Sequence, residues 1–144
     1  MRATALGAIL LGVLTAGCVP TTRVSLHNRM AEAVTVTTCR ASQIIASGQT
    51  VELDSHGCAY MEEPQLRIVA SSRSWEYRGF LRHASWLFER DSRFVSRRLP
   101  IGYDVLAQLE PDGTILILEA GAPMPNLQPA NALHIRPAAR PSES

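Results

Sequence analysis

The sequence predicts a mainly β fold: a small antiparallel β-sandwich or barrel-like domain with one short helix. Apolar and polar residues alternate with period two over most of the chain, the spacing that turns one face of a strand toward a core. Gly, Pro and Asn recur between these segments as turn signals. Two long apolar segments also flank Pro111-Asp112-Gly113, a tripeptide suited to a hairpin.

The elements follow in order. Val24, Leu26 and Asn28 share one side of a first strand, and Arg23, Ser25 and His27 the other. A turn at Asn28-Arg29 leads into Ala33 to Cys39, where Val34 and Val36 alternate with Thr35 and Thr37. Cys39 falls in phase with the threonines, so either a bulge shifts the phase or this cysteine lies on the less buried face. Ser47-Gly48 turns the chain into Gln49 to Asp54, with Val51 and Leu53 against Glu52 and Asp54. His56-Gly57 precedes a short segment, Cys58 to Met61, and Gln65 to Ser71 follows with Leu66, Ile68 and Ala70 in phase.

The pattern between Ser74 and Leu99 is mixed. Trp75 and Tyr77 alternate as in a strand, whereas Phe80, Ala84, Leu87 and Asp91 recur at helical spacing. We read a strand near 74–81 and a short helix near 83–91. Ile101 to Glu110 and Thr114 to Ala120 form the two arms of the hairpin, with Pro111 presetting the turn and Gly113 accepting positive φ. From Gly121 onward the chain holds five of its nine prolines. That composition predicts a largely extended or disordered tail, with Leu133-His134-Ile135 as the piece expected to pack.

The first 17 residues have another character. Met1 and Arg2 carry positive charge, and a nearly unbroken apolar stretch runs from Ala3 to Ala16. At about 14 residues it falls short of the roughly 20 that a membrane-spanning helix needs. It ends in Leu14-Thr15-Ala16-Gly17-Cys18. This pentapeptide resembles the lipobox of bacterial lipoproteins: an aliphatic residue, small residues, then the cysteine that is lipidated. The resemblance covers the leader and Cys18 only; no family is recognised in residues 19–144. It implies a diacylglyceryl group on the Cys18 thiol, cleavage between Gly17 and Cys18, and acylation of the new amine. It also implies attachment to a membrane through that lipid. Val19 stands where an aspartate would favour inner-membrane retention, so the resemblance places the protein on the periplasmic face of the outer membrane. In a single-membrane cell the same anchor would occupy the outer leaflet of the cell membrane. The organisation expected is a signal peptide over 1–17, the lipidated cysteine and a short linker over 18–23, a β-rich domain over 24–120, and the Pro-rich tail over 121–144.

With Cys18 committed to lipid, Cys39 and Cys58 remain as a pair in an oxidising compartment. A disulfide between them would close a loop of about 20 residues, worth around 3 kcal/mol in the chain-entropy model. Two free thiols, or a metal site using His56 and Cys58, are the competing readings. The metal reading lacks the further ligands at convincing spacing that zinc needs.

Removal of the leader leaves 127 residues, enough for one domain. The formal charge falls from +1 to zero with the loss of Arg2, so net charge singles out no partner. All 14 basic residues are arginine. The chain has no Gly-x-Ser-x-Gly elbow, phosphate-binding glycine loop or His-Glu-x-x-His helix, and His27, His56, His83 and His134 follow no repeated spacing. Asp54 and His56 share a loop, and Glu62-Glu63 precede Pro64; both read as ordinary turn chemistry. No catalytic residue, metal or cofactor is expected, and nucleic acid is a poor partner for an envelope protein.

One block carries an unusual composition. Arg73 to Arg98 holds seven of the 14 arginines and six of the eight aromatic residues, with a local charge of +4. Arginine interleaved with Trp and Tyr suits an anionic or headgroup surface, with Arg78, Arg82, Trp86, Arg90 and Arg97 as the interaction face. The competing reading makes the aromatics core and leaves the arginines on the wet side. Four extended residues, Val19 to Thr22, reach at most about 14 Å, so the domain would sit close to the bilayer. The functional expectation is a membrane-anchored, non-enzymatic interaction or structural module with an envelope protein partner. The alternative is a small hydrolase or ligand-binding protein directed at cell wall or lipid.

Overall fold

The computed structural model describes residues 21–58, 65–82, 91–98, 102–138 and 142–143. They form two sheets packed face to face, a mainly β sandwich as the alternation predicts. Strands β1 (Thr21–Asn28), β4 (Thr50–Glu52), β7 (Ser96–Arg98), β8 (Gly102–Leu109), β9 (Ile115–Leu118) and β10 (Ala132–Ile135) make the first sheet. Its path is β10-β9-β8-β1-β4, and β7 pairs with the first half of β8 on the side where β9 pairs with the second half. Strands β2 (Val34–Thr38), β3 (Ser42–Ile45), β5 (Leu66–Ala70), β6 (Arg73–Tyr77) and β11 (Ser142–Glu143) make the second, in the order β11-β6-β5-β2-β3.

The period-two faces fall as the sequence implies. Val24, Leu26 and Asn28 of β1 are buried, as are Val34 and Val36 of β2 and Leu66, Ile68 and Ala70 of β5. Val105, Ala107 and Leu109 of β8 pair in register with Val24, Leu26 and Asn28, and complete the core from the first sheet. Trp75, Tyr77 and Phe80 enter it from the second sheet.

One pairing departs from the antiparallel expectation. β1 and β8 run parallel along their full length, Thr21 beside Gly102 through Asn28 beside Leu109. Parallel neighbours need a long crossover, and here β2, β3, β5 and β6 of the second sheet lie between them in the chain. The second sheet is antiparallel throughout.

The hairpin is built as its turn residues require. Gly113 N–H donates to the Glu110 carbonyl (2.9 Å), and Glu110 N–H donates to the Thr114 carbonyl (2.8 Å). Asp112 Oδ1 accepts from Thr114 N–H at 2.8 Å, and Gly113 has φ +84°. This is a tight turn followed by a left-handed glycine, the three-residue hairpin loop that matches strand twist. The loop docks on the second sheet: Tyr77 donates its hydroxyl to the Gly113 carbonyl at 2.6 Å. A Cβ on Gly113 would lie 2.4 Å from Trp75 Nε1.

Other elements differ from the sequence reading. The strand expected near 74–81 ends at Tyr77, and residues 80–82 are helical. The helix read over 83–91 lies outside the described residues except for Asp91, which caps a 3-10 turn at Ser92–Phe94 by accepting from Arg93 N–H. Of the segment read at Cys58 to Met61, Cys58 alone is described, and it lies in a turn. β3 and β7 are edge pieces of four and three residues, too short to show an alternation.

Composition ends the domain at Ala120, yet strand pairing continues to Ile135. Residues 132–135 lack proline, and β10 pairs with β9, so Leu133-His134-Ile135 does pack. Before it, the Gln108 side-chain amide stands in for a strand neighbour. It accepts from Asn126 N–H (2.8 Å) and donates to the Asn126 carbonyl (2.9 Å). The returning chain thus meets the outer face of the first sheet, where Leu116 and Leu118 are also buried. Among the described residues no helix is long and apolar enough to cross a membrane.

Candidate functional site

β1 begins at Thr21, three residues after Cys18. The end of the sandwich that would lie nearest an anchor on Cys18 is therefore the start of β1, and a cleft of about 350 Å³ opens there. Thr21, Thr22 and Arg23 form its floor. The loop after β4, with Asp54, Ser55 and His56, forms one wall, and Arg98 at the end of β7 closes the other side.

Strand register assembles this cleft from three distant parts of the chain. Arg98, Gly102 and Thr21 stand in one row across β7, β8 and β1. The Arg98 side chain reaches over Gly102 and donates from Nη2 to Thr21 Oγ1 at 3.0 Å. A Cβ on residue 102 would lie 2.7 Å from that nitrogen, so glycine leaves the space for the guanidinium. Two residues along, Arg23 neighbours Asp104, and Glu52 sits beside Ser25. With Val24 and Val105 facing the core, Thr21, Arg23, Gly102 and Asp104 project to the outer face.

The charges on that face alternate. Arg98 Nε lies 3.3 Å from Asp104 Oδ1, and Arg23 Nε lies 3.1 Å from Glu52 Oε1. The Arg23 and Glu52 side chains are 47% and 52% exposed, so their pairing adds little stability and both groups stay accessible. Asp54 and His56 are exposed, and their side chains have no hydrogen-bond or ion-pair partner among the described residues. Among the described residues the lining thus offers two guanidiniums, two carboxylates, one imidazole and several hydroxyls to an incoming molecule.

The wall is braced covalently. Cys39 and Cys58 form a disulfide with Cα atoms 5.6 Å apart. Cys58 is fully buried in the core, and Cys39 is exposed in the bend just past the end of β2. Thr38 adds a hydroxyl bond to the Asp54 carbonyl, which ties the same loop to the second sheet. The bridge consumes Cys58, so neither free thiols nor a Cys58 metal ligand applies.

A second polar group lies at the far end of β1. Arg29 donates to both carboxylate oxygens of Glu110, at 2.8 and 3.1 Å, and Gln108 also donates to Glu110 at 2.6 Å. His27 is buried beside it, with Nδ1 2.8 Å from Thr50 Oγ1. Burial, and then the nearby Arg29 charge, hold the His27 imidazole below its ordinary pKa. These contacts link β1, β4 and β8 to the returning tail and are structural in kind. Among the described residues no group of three or more His, Cys, Asp or Glu side chains has metal-site geometry.

The residues named from sequence separate into layers. Cys18, Trp86 and Arg90 lie outside the described residues. Arg78 and Arg82 are exposed just beyond β6 of the second sheet, and Arg97 is exposed on β7 of the first. Trp75, Tyr77, Phe80 and Phe94 are buried, so the described aromatics of the Arg73–Arg98 block are core. Sequence reasoning passed over Arg23, Glu52 and Arg98, and set Asp54 and His56 aside as turn residues. Their common place depends on the parallel β1–β8 register, which no local pattern announces. No protein-family model matches the chain, and comparisons with curated proteins and with solved structures found no match.

Proposed function

We propose that this chain is a lipid-anchored protein of the bacterial envelope, whose β-sandwich acts as a non-enzymatic interaction or structural module at the membrane surface. The observation that carries the reading is the placement of Leu14-Thr15-Ala16-Gly17-Cys18 three residues before β1. Those three residues span at most about 10 Å, so a lipid on Cys18 would hold the start of β1 near the headgroups. Each buried methylene of an acyl chain contributes about 0.8 kcal/mol, and two or three chains anchor firmly. Val19 after the cysteine favours the periplasmic face of the outer membrane. The Cys39–Cys58 disulfide accords with an oxidising compartment. Arg78, Arg82 and Arg97 are exposed cations available to an envelope protein partner.

Ser55, His56 and Asp54 share the cleft wall, which gives the hydrolase alternative its best location. No hydrogen bond joins the Ser55 hydroxyl to the His56 imidazole, or that imidazole to Asp54, among the described residues. A nucleophile needs such a base within reach, and the module reading is therefore preferred. The test is metabolic labelling with a fatty acid, combined with mass spectrometry of the purified N-terminus. The natural chain should take up label and begin at acylated Cys18; Cys18→Ser should lose the label and retain its leader. An unlabelled natural chain, or one beginning elsewhere, would refute the anchor.

A further inference from the structure

The cleft at the start of β1 has no role in anchoring itself, and its chemistry is specific enough to name a ligand. We propose that it binds the phosphoethanolamine headgroup of a phospholipid in the membrane that carries the anchor. The inference rests on the anchored reading above and identifies what the membrane-side end of the domain would recognise.

Position comes first. Thr21 lines the cleft and lies three residues from Cys18, within about 10 Å along an extended chain. The headgroup region of one leaflet is about 6 Å thick, so the cleft mouth is within reach of neighbouring lipids. Anchoring confines the cleft to the headgroup layer and so raises the effective concentration of headgroups around it. A site that binds a free headgroup weakly would then be occupied at the membrane.

Charge comes second. The cleft presents both signs: Arg23 and Arg98 on one hand, Glu52 and Asp54 on the other. A purely anionic ligand would leave the carboxylates repelled, and a purely cationic one would leave the guanidiniums so. A zwitterion satisfies both. Its phosphate oxygens suit the exposed Arg23 guanidinium, with Arg98, held by Thr21 and Asp104, adding positive charge beside it. Its ammonium suits the partnerless Asp54 carboxylate beside Glu52. The exposed Arg23–Glu52 pair can exchange its mutual contact for ligand contacts at little cost.

The lining also discriminates between amines. Quaternary ammonium groups are recognised by aromatic faces, and among the described residues no Phe, Tyr or Trp lines this cleft. A primary ammonium instead donates hydrogen bonds, which the carboxylates and the Thr21, Thr22 and Ser55 hydroxyls accept. The volume of about 350 Å³ is at the small end of ligand clefts, suitable for a headgroup and not for acyl chains.

The test titrates the full protein, purified from membranes in detergent micelles, with glycerophosphoethanolamine, glycerophosphocholine and inorganic phosphate, followed by amide NMR shifts. Saturable shifts at Thr22, Arg23, Ser55 and His56 are expected with the ethanolamine compound. Glycerophosphocholine and phosphate should each bind at least about fivefold more weakly. Asp54→Asn and Arg23→Gln should each weaken binding about tenfold or more, with the shifts of core strands unchanged as a check on folding. Absence of saturable shifts at these amides, or equal binding of the choline compound, would overturn the inference. Phosphate binding as tight as the ethanolamine compound would overturn it too, as a simple anion site. The mass spectrum of the same sample reports Cys18 acylation separately. An acylated protein with a silent cleft refutes the headgroup site alone. A responsive cleft on a protein without acylation refutes the anchor, and with it the membrane as the source of the ligand.

Discussion

Replacing Gly113 by alanine probes how the hairpin loop is locked onto the second sheet. Gly113 has φ +84°, where an L side chain costs about 1–2 kcal/mol. Its Cβ would stand 2.4 Å from Trp75 Nε1 and 2.6 Å from Trp75 Cε2, closer than such atoms can approach. Trp75 is 1% exposed inside the core, so the indole has nowhere easy to go. Overpacking of this kind adds about 1–3 kcal/mol, for a total loss of about 2–5 kcal/mol. The Tyr77 hydrogen bond to the Gly113 carbonyl is also displaced if the loop lifts. Gly48 supplies the control. Its φ is +75°, but a Cβ there meets nothing within 4 Å, so Gly48→Ala should lose only the conformational part, about 1–2 kcal/mol. Urea denaturation of both variants, read by tryptophan fluorescence, measures the difference directly. If the two variants lose the same stability to within about 0.5 kcal/mol, the Trp75 contact is not what fixes the loop.

Two further outcomes test the bracing of the molecule. Joint Cys39→Ala and Cys58→Ala replacement should lower stability by about 3 kcal/mol, because it frees a loop with a sequence separation of 19; a denaturation midpoint insensitive to reductant would contradict this. Burial of His27 depresses its pKa in the folded state, so protons prefer the unfolded chain. The stability this gives is complete above the ordinary value of 6.5 and declines as pH falls below it toward the folded-state value. Thermal unfolding followed from pH 8 to pH 5 should show that decline in the natural chain and a smaller one in His27→Gln; equal slopes would remove His27 from the account.

Much of the architecture was legible because it is local. Val24 and Leu26, Val34 and Val36, and Leu66 with Ile68 and Ala70 announce buried faces by alternation alone, and burial follows that phase. Glu110 to Thr114 encodes its hairpin in a proline, an aspartate and a glycine that act within five residues. Cys39 and Cys58, once counted, form the one disulfide that the described cysteines allow.

The cleft was not legible, because it is a property of register. Arg98, Gly102 and Thr21 are neighbours only when β1 lies parallel to β8, a pairing that spans about 80 residues and has no turn to announce it. Composition read the proline-rich tail as largely extended or disordered with Leu133-His134-Ile135 packing; the bonds by which Gln108 and Asn126 join it to the first sheet are ones that composition does not encode. The Arg73–Arg98 block shows the same division from the other side. Its arginine and aromatic content was plain in the sequence, but only packing decided that Trp75, Tyr77, Phe80 and Phe94 belong to the core. The sequence by itself determined strands and turns, since short-range sterics and hydropathy set those. Tertiary structure alone decided which charges meet, since Coulomb and hydrogen-bond contacts depend on distances that only the folded chain defines.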